Sequence, residues 1–313
     1  MVADVLAGDF RAIARLITLV ENGAPEAVPL MRELFSHTGR CVSIGVTGSP
    51  GAGKSTLVDK LAAHYRDCGR KVGIIAVDPT SPFTGGAILG DRIRMQSRSL
   101  DAGTFIRSMA TRGHLGGLSR ATADVLLILD AAGFDIVLIE TVGVGQDEVE
   151  IARTAEVTLV LLVPGMGDDV QTMKAGIMEI GDVLVINKAD HPGVERVEAE
   201  LRSLLAISSR PDGWRPAIVK TVATEGKGIE ECAQAIDAWR DSQRDSRFQK
   251  ERLLQIHKER LLELISSEIQ RSLMSASGAA ARLESYARRV AERSIDPYSA
   301  AEELLAAWVE SGR

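Results

Sequence analysis

The chain has 313 residues, enough for one large domain with additions or for two domains. Its 45% hydrophobic and 26% charged residues are ordinary globular composition, which excludes general disorder. A formal net charge of −6, with only three Trp, three Tyr and six Phe, argues against nucleic acid and against an anionic membrane surface as partners.

Residues 1–40 read as a helical extension. Leu6, Phe10, Ile13, Ile17 and Val20 recur at spacings of three and four and predict one amphipathic helix, ended by Asn22-Gly23. A second short helix comes next, with Met31, Leu34 and Phe35 on one side and Gly39 near its end. Two such helices cannot form a core alone, so they are expected to pack on the larger domain after them. The first residues carry acids early and lack a basic start before an apolar core, so no secretory signal is expected. The apolar runs, such as 157–163, are too short to cross a bilayer. Cys41, Cys68 and Cys232 are far apart and form no CxxC, which fits a reducing compartment rather than a disulfide framework. The expected location is the cytoplasm.

From Cys41 the pattern changes. Val- and Ile-rich runs at 41–48, 71–78, 135–141, 157–164, 183–190 and 217–224 are continuous rather than alternating, as strands buried on both faces of a parallel sheet are. Stretches 54–67, 117–133, 168–180 and 195–208 between them have helical periodicity. This repetition predicts an α/β, doubly wound, mostly parallel sheet over about 41–240. After Trp239 only helix is predicted, over 241–313. Leu253, Leu254, Leu261, Leu264, Ile265, Ile269 and Leu273 make one stripe, and Leu283, Tyr286, Ala287 and Val290 another. Asp296-Pro297 reads as a helix start, followed by a stripe of Ala301, Leu304, Leu305 and Trp308.

The strongest motif is Gly48, Ser49, Pro50, Gly51, Ala52, Gly53, Lys54 and Ser55, a full G-x-x-x-x-G-K-[ST] with Thr56 behind it, lying between a strand and a helix. Glycines let backbone N–H groups turn inward around phosphate oxygens, and the helix N-terminus adds partial positive charge. Lys54 is suited to the β- and γ-phosphates and the Ser55 hydroxyl to Mg²⁺. The run 183–190 ends in Asn187-Lys188-Ala189-Asp190. A carboxylate only accepts hydrogen bonds, and guanine offers N1–H and an exocyclic amine side by side, so Asp190 selects guanine over adenine. Asn187 is placed to tie this segment to the phosphate loop, and the Lys188 stem to cover the base. Val222, Ala223 and Thr224 follow a later strand and are candidates to bring backbone N–H groups to guanine O6.

Glu140-Thr141-Val142-Gly143 ends the run 135–141. There the carboxylate of Glu140 is expected to orient Mg²⁺ and the Gly143 amide to meet the γ-phosphate. Asp78, at the end of 71–78, and Asp91, after a Pro- and Gly-containing loop at 81–90, are candidate ligands of the metal or of the attacking water. The competing reading of Asp91 and Arg94 is a solvated helix start. Lys54, Asp78, Asp91 and Glu140 are thus the candidate catalytic set, and Ser55, Asp78, Asp91 and Glu140 the candidate metal set. No residue clearly positions the attacking water, Gln146 being near but of unknown direction. Slow intrinsic hydrolysis, completed by a partner, is expected.

These residues resemble a known family. SPGAGKSTL (49–57), VDPTSPFTGGAILGDRIRM (77–95), ETVGVGQ-x-E (140–148), PGMGDDVQTMKAGIMEI (164–180) and NKAD (187–190) together look like the MeaB/ArgK methylmalonyl-CoA mutase-associated GTPases, within the metallochaperone-like group of P-loop GTPases. Asp147 departs from an expected small polar residue, and Val222 from the Ser that many GTPases carry. The resemblance implies GTP/GDP as ligand and the adenosylcobalamin-dependent methylmalonyl-CoA mutase as partner. It also implies gating of cofactor delivery and protection or reactivation of the mutase. It further implies a homodimer through the C-terminal helices, and a coupling segment at 164–180 in which Asp168, Gln171 and Lys174 are polar candidates. Covering the apolar stripes of the tail is a physical reason for self-association, with folding back on the GTPase domain as the competing explanation. Two other functions compete: a nickel-insertion GTPase, which needs soft or imidazole ligands that are scattered here, and a kinase of a transport protein, which NKAD disfavours if ATP is the donor.

Overall fold

The computed structural model describes residues 1–79, 101–111, 117–141, 151, 154–165, 180–207, 210, 212–244, 246–276 and 278–311. They form two compact units, Met1–Arg252 and Leu253–Arg313.

The first unit is built on a parallel sheet. Its seven described strands are β1 (Val42–Gly48), β2 (Val72–Pro79), β3 (Thr104–Thr111), β4 (Ile136–Thr141), β5 (Val157–Leu162), β6 (Val183–Asn187) and β7 (Ala217–Thr221), in the order β3-β2-β4-β1-β5-β6-β7. Every pairing is parallel. Six strands match the runs predicted from sequence. β3 is an addition. At the edge of the described sheet it pairs with β2, and it places Arg107 and Ser108 among its apolar residues, so no continuous run marks it.

Alternate residues of each strand serve opposite faces, as the pleat requires. Ile44, Val46, Ile74, Leu138, Leu159 and Val185 meet α4 (Lys54–Asp67) and the helix Ile229–Gln243 on one face. Ile75, Val77, Phe105, Val137 and Ile139 face the N-terminal helices and α5 (Gly117–Ala131) on the other. Val160, Leu162, Leu184 and Ile186 are covered by α6 (Val194–Ile207). The helix Ile229–Gln243 is α7.

The N-terminal extension packs on this second face, as its shortness required. It has three helices rather than two: α1 (Val2–Leu6), α2 (Phe10–Glu21) and α3 (Ala27–Phe35). The single stripe read from Leu6 to Val20 is broken because Gly8 is left-handed at φ +78° and the Asp9 carboxylate accepts from the Ala12 amide at 2.7 Å, which starts a new helix. Leu34 is buried, but Phe35 is 59% exposed and lies off the stripe assigned to it. Phe10 meets Phe105 edge-on at 5.4 Å, and Arg107 of β3 pairs with Glu21 of α2. The Asp130 carboxylate of α5 gathers the amides of Gly39 (2.5 Å), Arg40 (3.1 Å) and Cys41 (3.0 Å), which fixes the entry into β1.

Two charged clusters fasten the amino ends of the strands. Before β6, Asp182 is fully buried and its carboxylate accepts from Arg210 (2.9 Å), Arg252 (3.4 Å) and the Thr158 amide (2.9 Å). Arg210 also bonds Asp212 and the Gly181 carbonyl, and Trp214 Nε1 donates to the Asp182 carbonyl at 2.9 Å. Burial pushes the Asp182 carboxyl up, against the pull of Arg252 and Arg210.

Before β3, Arg66 of α4 binds Asp101 through two nitrogens at 2.6 and 3.0 Å. That bond, then the Gly103 amide and the Thr104 hydroxyl, hold the Asp101 carboxyl well below the usual carboxylate range. A lowered folded-state value contributes stability that is present above the unfolded value and lost as pH falls through the folded one. Asp101→Asn is therefore expected to flatten the fall of Tm between about pH 5 and pH 2. Parallel Tm curves for the two proteins would show that this pair carries no linkage.

Among the described residues of the second unit, helix is the one regular element type. α8 (Arg247–Ser275) enters it at Leu253 and is followed by α9 (Ala279–Ala291) and α10 (Pro297–Ser311). Asp296 caps α10, accepting from the amides of Tyr298 (2.9 Å) and Ser299 (3.0 Å), as the Asp-Pro signal predicted. Tyr286 of α9 donates to Glu303 of α10 at 2.9 Å, and Arg289 lies over the Tyr286 ring at 4.8 Å. α8 buries none of its side chains, and Leu254, Leu261, Leu262 and Ile265 are all more than half exposed.

Candidate functional site

Because all seven described strands are parallel, their carboxyl ends share one edge of the sheet. β1 lies between β4 and β5, and the chain leaves it toward β2, beyond β4, so the strand order reverses at β1. Crevices at such points are where open α/β sheets bind ligands. The phosphate-loop motif, Glu140, Asn187 and the segment 222–224 all follow or end strands at this edge.

The loop from Gly48 to Gly53 leads into α4 at Lys54. Two of its glycines are required by close approach. A Cβ on Gly48 would lie 2.4 Å from the Leu161 carbonyl oxygen of β5, and one on Gly53 would lie 2.4 Å from Asn187 Nδ2. Gly53 is also left-handed, at φ +91°. Lys54 is buried, with Nζ donating to the carbonyls of Gly48 (2.7 Å) and Ser49 (3.1 Å), so the ammonium is held within the loop. Ser49 and Ala52 are buried, Pro50 and Gly51 are exposed at the crest, and Thr56 is half-buried.

Below the loop, Ser55 donates its hydroxyl hydrogen to Glu140 Oε1 at 2.5 Å. Glu140 is buried on β4 opposite Val46 of β1 and Ala76 of β2, so the strand register delivers its carboxylate to the first turn of α4. A hydroxyl and a carboxylate in contact are the hard oxygen donors that Mg²⁺ takes, so the residues present fit that ion. One residue further along each strand, the buried hydroxyls of Thr47 and Thr141 lie 3.4 Å apart.

Asn187 is the hub of the other half. It is 3% exposed at the end of β6. Its Nδ2 donates to the Ala52 carbonyl of the phosphate loop at 2.8 Å. Its Oδ1 accepts from the Thr221 hydroxyl (3.0 Å) and the Ala223 amide (3.2 Å). One side chain thus joins the phosphate loop, β6 and the segment after β7. Lys188 is left-handed at φ +55°, and the Ala189 amide donates to the Thr221 carbonyl at 3.0 Å. Asp190 is exposed. Val222 is buried, with its amide bonded to the Lys227 carbonyl, while Thr224 is exposed. In this segment the amides of Val222 and Ala223 are therefore engaged by protein groups.

Other sequence-derived candidates lie outside the described residues: Asp91, Arg94, Gly143, Gln146, Asp147, Asp168, Gln171 and Lys174. Asp78 belongs to β2 by its backbone, and its side chain lies outside the described ones. Sequence reasoning did not single out Thr221 or Thr47. A threonine at the end of a strand, or one residue before it, next to a candidate nucleotide loop was the available signal for both. Among the described residues no group of three or more His, Cys, Asp or Glu is arranged to hold a metal ion, and no helix is long and apolar enough to cross a membrane.

Comparison with known proteins agrees with this architecture. Residues 13–278 match the family model described as methylmalonyl-CoA mutase-associated GTPase MeaB. A provisionally assigned GTPase of Pyrococcus abyssi is 51% identical over 309 residues, covering 97% of this chain and 95% of its own. The GTPase ArgK of Escherichia coli is 41% identical over 237 residues, covering 73% of this chain and 72% of its own. A crystal structure of an LAO/AO transport system kinase superposes with a TM-score of 0.70 at 28% identity, covering 99% of this chain and 96% of that one.

Proposed function

Since the chain belongs to the MeaB family of methylmalonyl-CoA mutase-associated GTPases, we propose that it binds GTP with Mg²⁺, hydrolyses it slowly, and acts as a nucleotide-dependent chaperone of that mutase. In this reading it gates delivery of adenosylcobalamin and protects or reactivates the enzyme. The observation that carries the nucleotide part is the Asn187 bridge, which binds a phosphate-loop carbonyl and the segment after β7 at once.

In this reading the residues take the following roles. Amides of residues 49–56 wrap the phosphates, and the Lys54 ammonium turns from its loop carbonyls toward the β- and γ-oxygens. Ser55 and Glu140, with Asp78 and Asp91, would hold Mg²⁺, which when bound would neutralise phosphate charge. The Gly143 amide meets the γ-phosphate. Water attacks the γ-phosphorus, the bond to the β–γ bridging oxygen breaks, and GDP and inorganic phosphate leave. Asp190 reads the guanine N1–H and amine, Lys188 covers the base, and Asn187 holds the reading segment. Residues 222–224 flank O6.

Specificity is tested by binding GDP and ADP to the wild type and to Asp190→Asn. The wild type is expected to prefer GDP by at least about a thousandfold, because adenine leaves the carboxylate unpaired. Asp190→Asn should lose most of that preference. Equal binding of the two nucleotides by the wild type would remove the GTPase assignment. It would favour a kinase reading, the activity for which the LAO/AO transport system neighbour is named.

The partner surface of the tail is tested by truncation. The half-exposed leucines of α8 and the stripe on α10 are read here as a homodimer contact. Removing residues after about 275 is expected to give a soluble monomer in sedimentation velocity, against a dimer for the full chain. A truncated protein that stays dimeric would sink the contact.

A further inference from the structure

The three cysteines stand in different surroundings. Burial pushes the Cys232 thiol up to about 12. Burial, and after it the carboxylates of Asp130, Glu156 and Asp135, raise Cys41 further still. Both thiols stay protonated and inert at neutral pH. Cys68 is exposed. It follows the last turn of α4, four residues after His64, and its sulfur lies 4.0 Å from His64 Nε2.

That spacing puts both side chains on one side of the helix end. The His64 ring is packed edge-on against the Tyr65 ring at 5.7 Å, which limits its rotation. One imidazole nitrogen and one thiol sulfur, accessible and close, are a bidentate soft donor set. Ions that need more are poorly served. Zinc seeks four such ligands and magnesium an octahedron of oxygens, whereas among the described residues no group of three or more ligating side chains is present. An ion satisfied by two soft donors is a monovalent d¹⁰ cation.

We propose that His64 and Cys68 form a two-ligand site for a soft monovalent metal ion of the Cu(I) type, at the far end of the helix that starts at the phosphate loop. Binding makes a sulfur–metal and a nitrogen–metal bond. The Cys68 thiol gives its proton to solvent, and neutral His64 supplies the Nε2 lone pair while keeping its proton on Nδ1. No electron is transferred. The site draws on no part of the nucleotide assignment.

The test uses the full chain under anaerobic conditions with a phosphine reductant, and Cu(I) supplied as its coloured bicinchoninate complex. The wild type is expected to withdraw one equivalent of Cu(I). Cys68→Ser should withdraw none, and His64→Gln should bind more than about tenfold more weakly, having lost one of two donors. Lowering the pH should weaken wild-type binding, because protons compete for both ligands. Thermal unfolding of each variant shows that it is folded. A wild type that withdraws no Cu(I), a Cys68→Ser variant that still does, or a His64→Gln variant that matches the wild type would each overturn the site.

Discussion

Replacing Asn187 with alanine is expected to lower GDP affinity by roughly 100-fold, about 3 kcal/mol, with the fold retained. The side chain is buried and makes three hydrogen bonds, to the Ala52 carbonyl, the Thr221 hydroxyl and the Ala223 amide. Alanine removes all three and opens a gap between the phosphate loop and the reading segment. Both halves of the nucleotide site then lose their common support. Thr221→Val removes one of the three bonds and should cost a smaller part of the affinity. Titration calorimetry of GDP against the three proteins gives the order. Unchanged affinity in Asn187→Ala would mean that the two halves are positioned independently, and the proposed guanine site would lose its main structural support.

Asp182→Ala is expected to destabilise the first unit by about 3–5 kcal/mol. The carboxylate is fully buried and neutralises Arg210 and Arg252, while the Thr158 amide depends on it for a partner. Alanine leaves a guanidinium with 11% of its side chain exposed, and among the described residues Asp212 remains to compensate it. At this size that loss corresponds to a fall in Tm of roughly 10 °C. Because Asp182 lies before β6 and Asn187 ends it, the folded fraction of the variant should bind GDP as the wild type does. Calorimetric unfolding in the presence and absence of GDP separates the two effects. A Tm within 2–3 °C or so of the wild type would show that the cluster is replaced by water at little cost.

Much of the fold and the framework of the candidate site were readable in the sequence, for identifiable reasons. The phosphate loop was legible because Gly48 and Gly53 allow no Cβ, and that constraint appears as fixed spacing in the chain. Six strands were legible because burial on both faces demands continuous Val and Ile. β3 was not, since an edge strand tolerates Arg107, which pairs with Glu21 rather than entering a core. The break between α1 and α2 was missed because apolar spacing continues across it, while Gly8 and the Asp9 cap decide the backbone. Thr221 was missed for another reason. Its value depends on Asn187, 34 residues away in sequence, and on the parallel register that sets Asn187 opposite Thr221. The stripes of the tail were legible as periodicity, but periodicity does not say what covers them.

We propose a guanine-specific hydrolase site that the mutase completes. It is tested most directly by GTP hydrolysis of the purified full chain, alone and with methylmalonyl-CoA mutase, with ATP as the control. Slow turnover of GTP alone, faster turnover on adding mutase, and no turnover of ATP are expected. Fast turnover by the isolated chain, or a rate that mutase leaves unchanged, would contradict it.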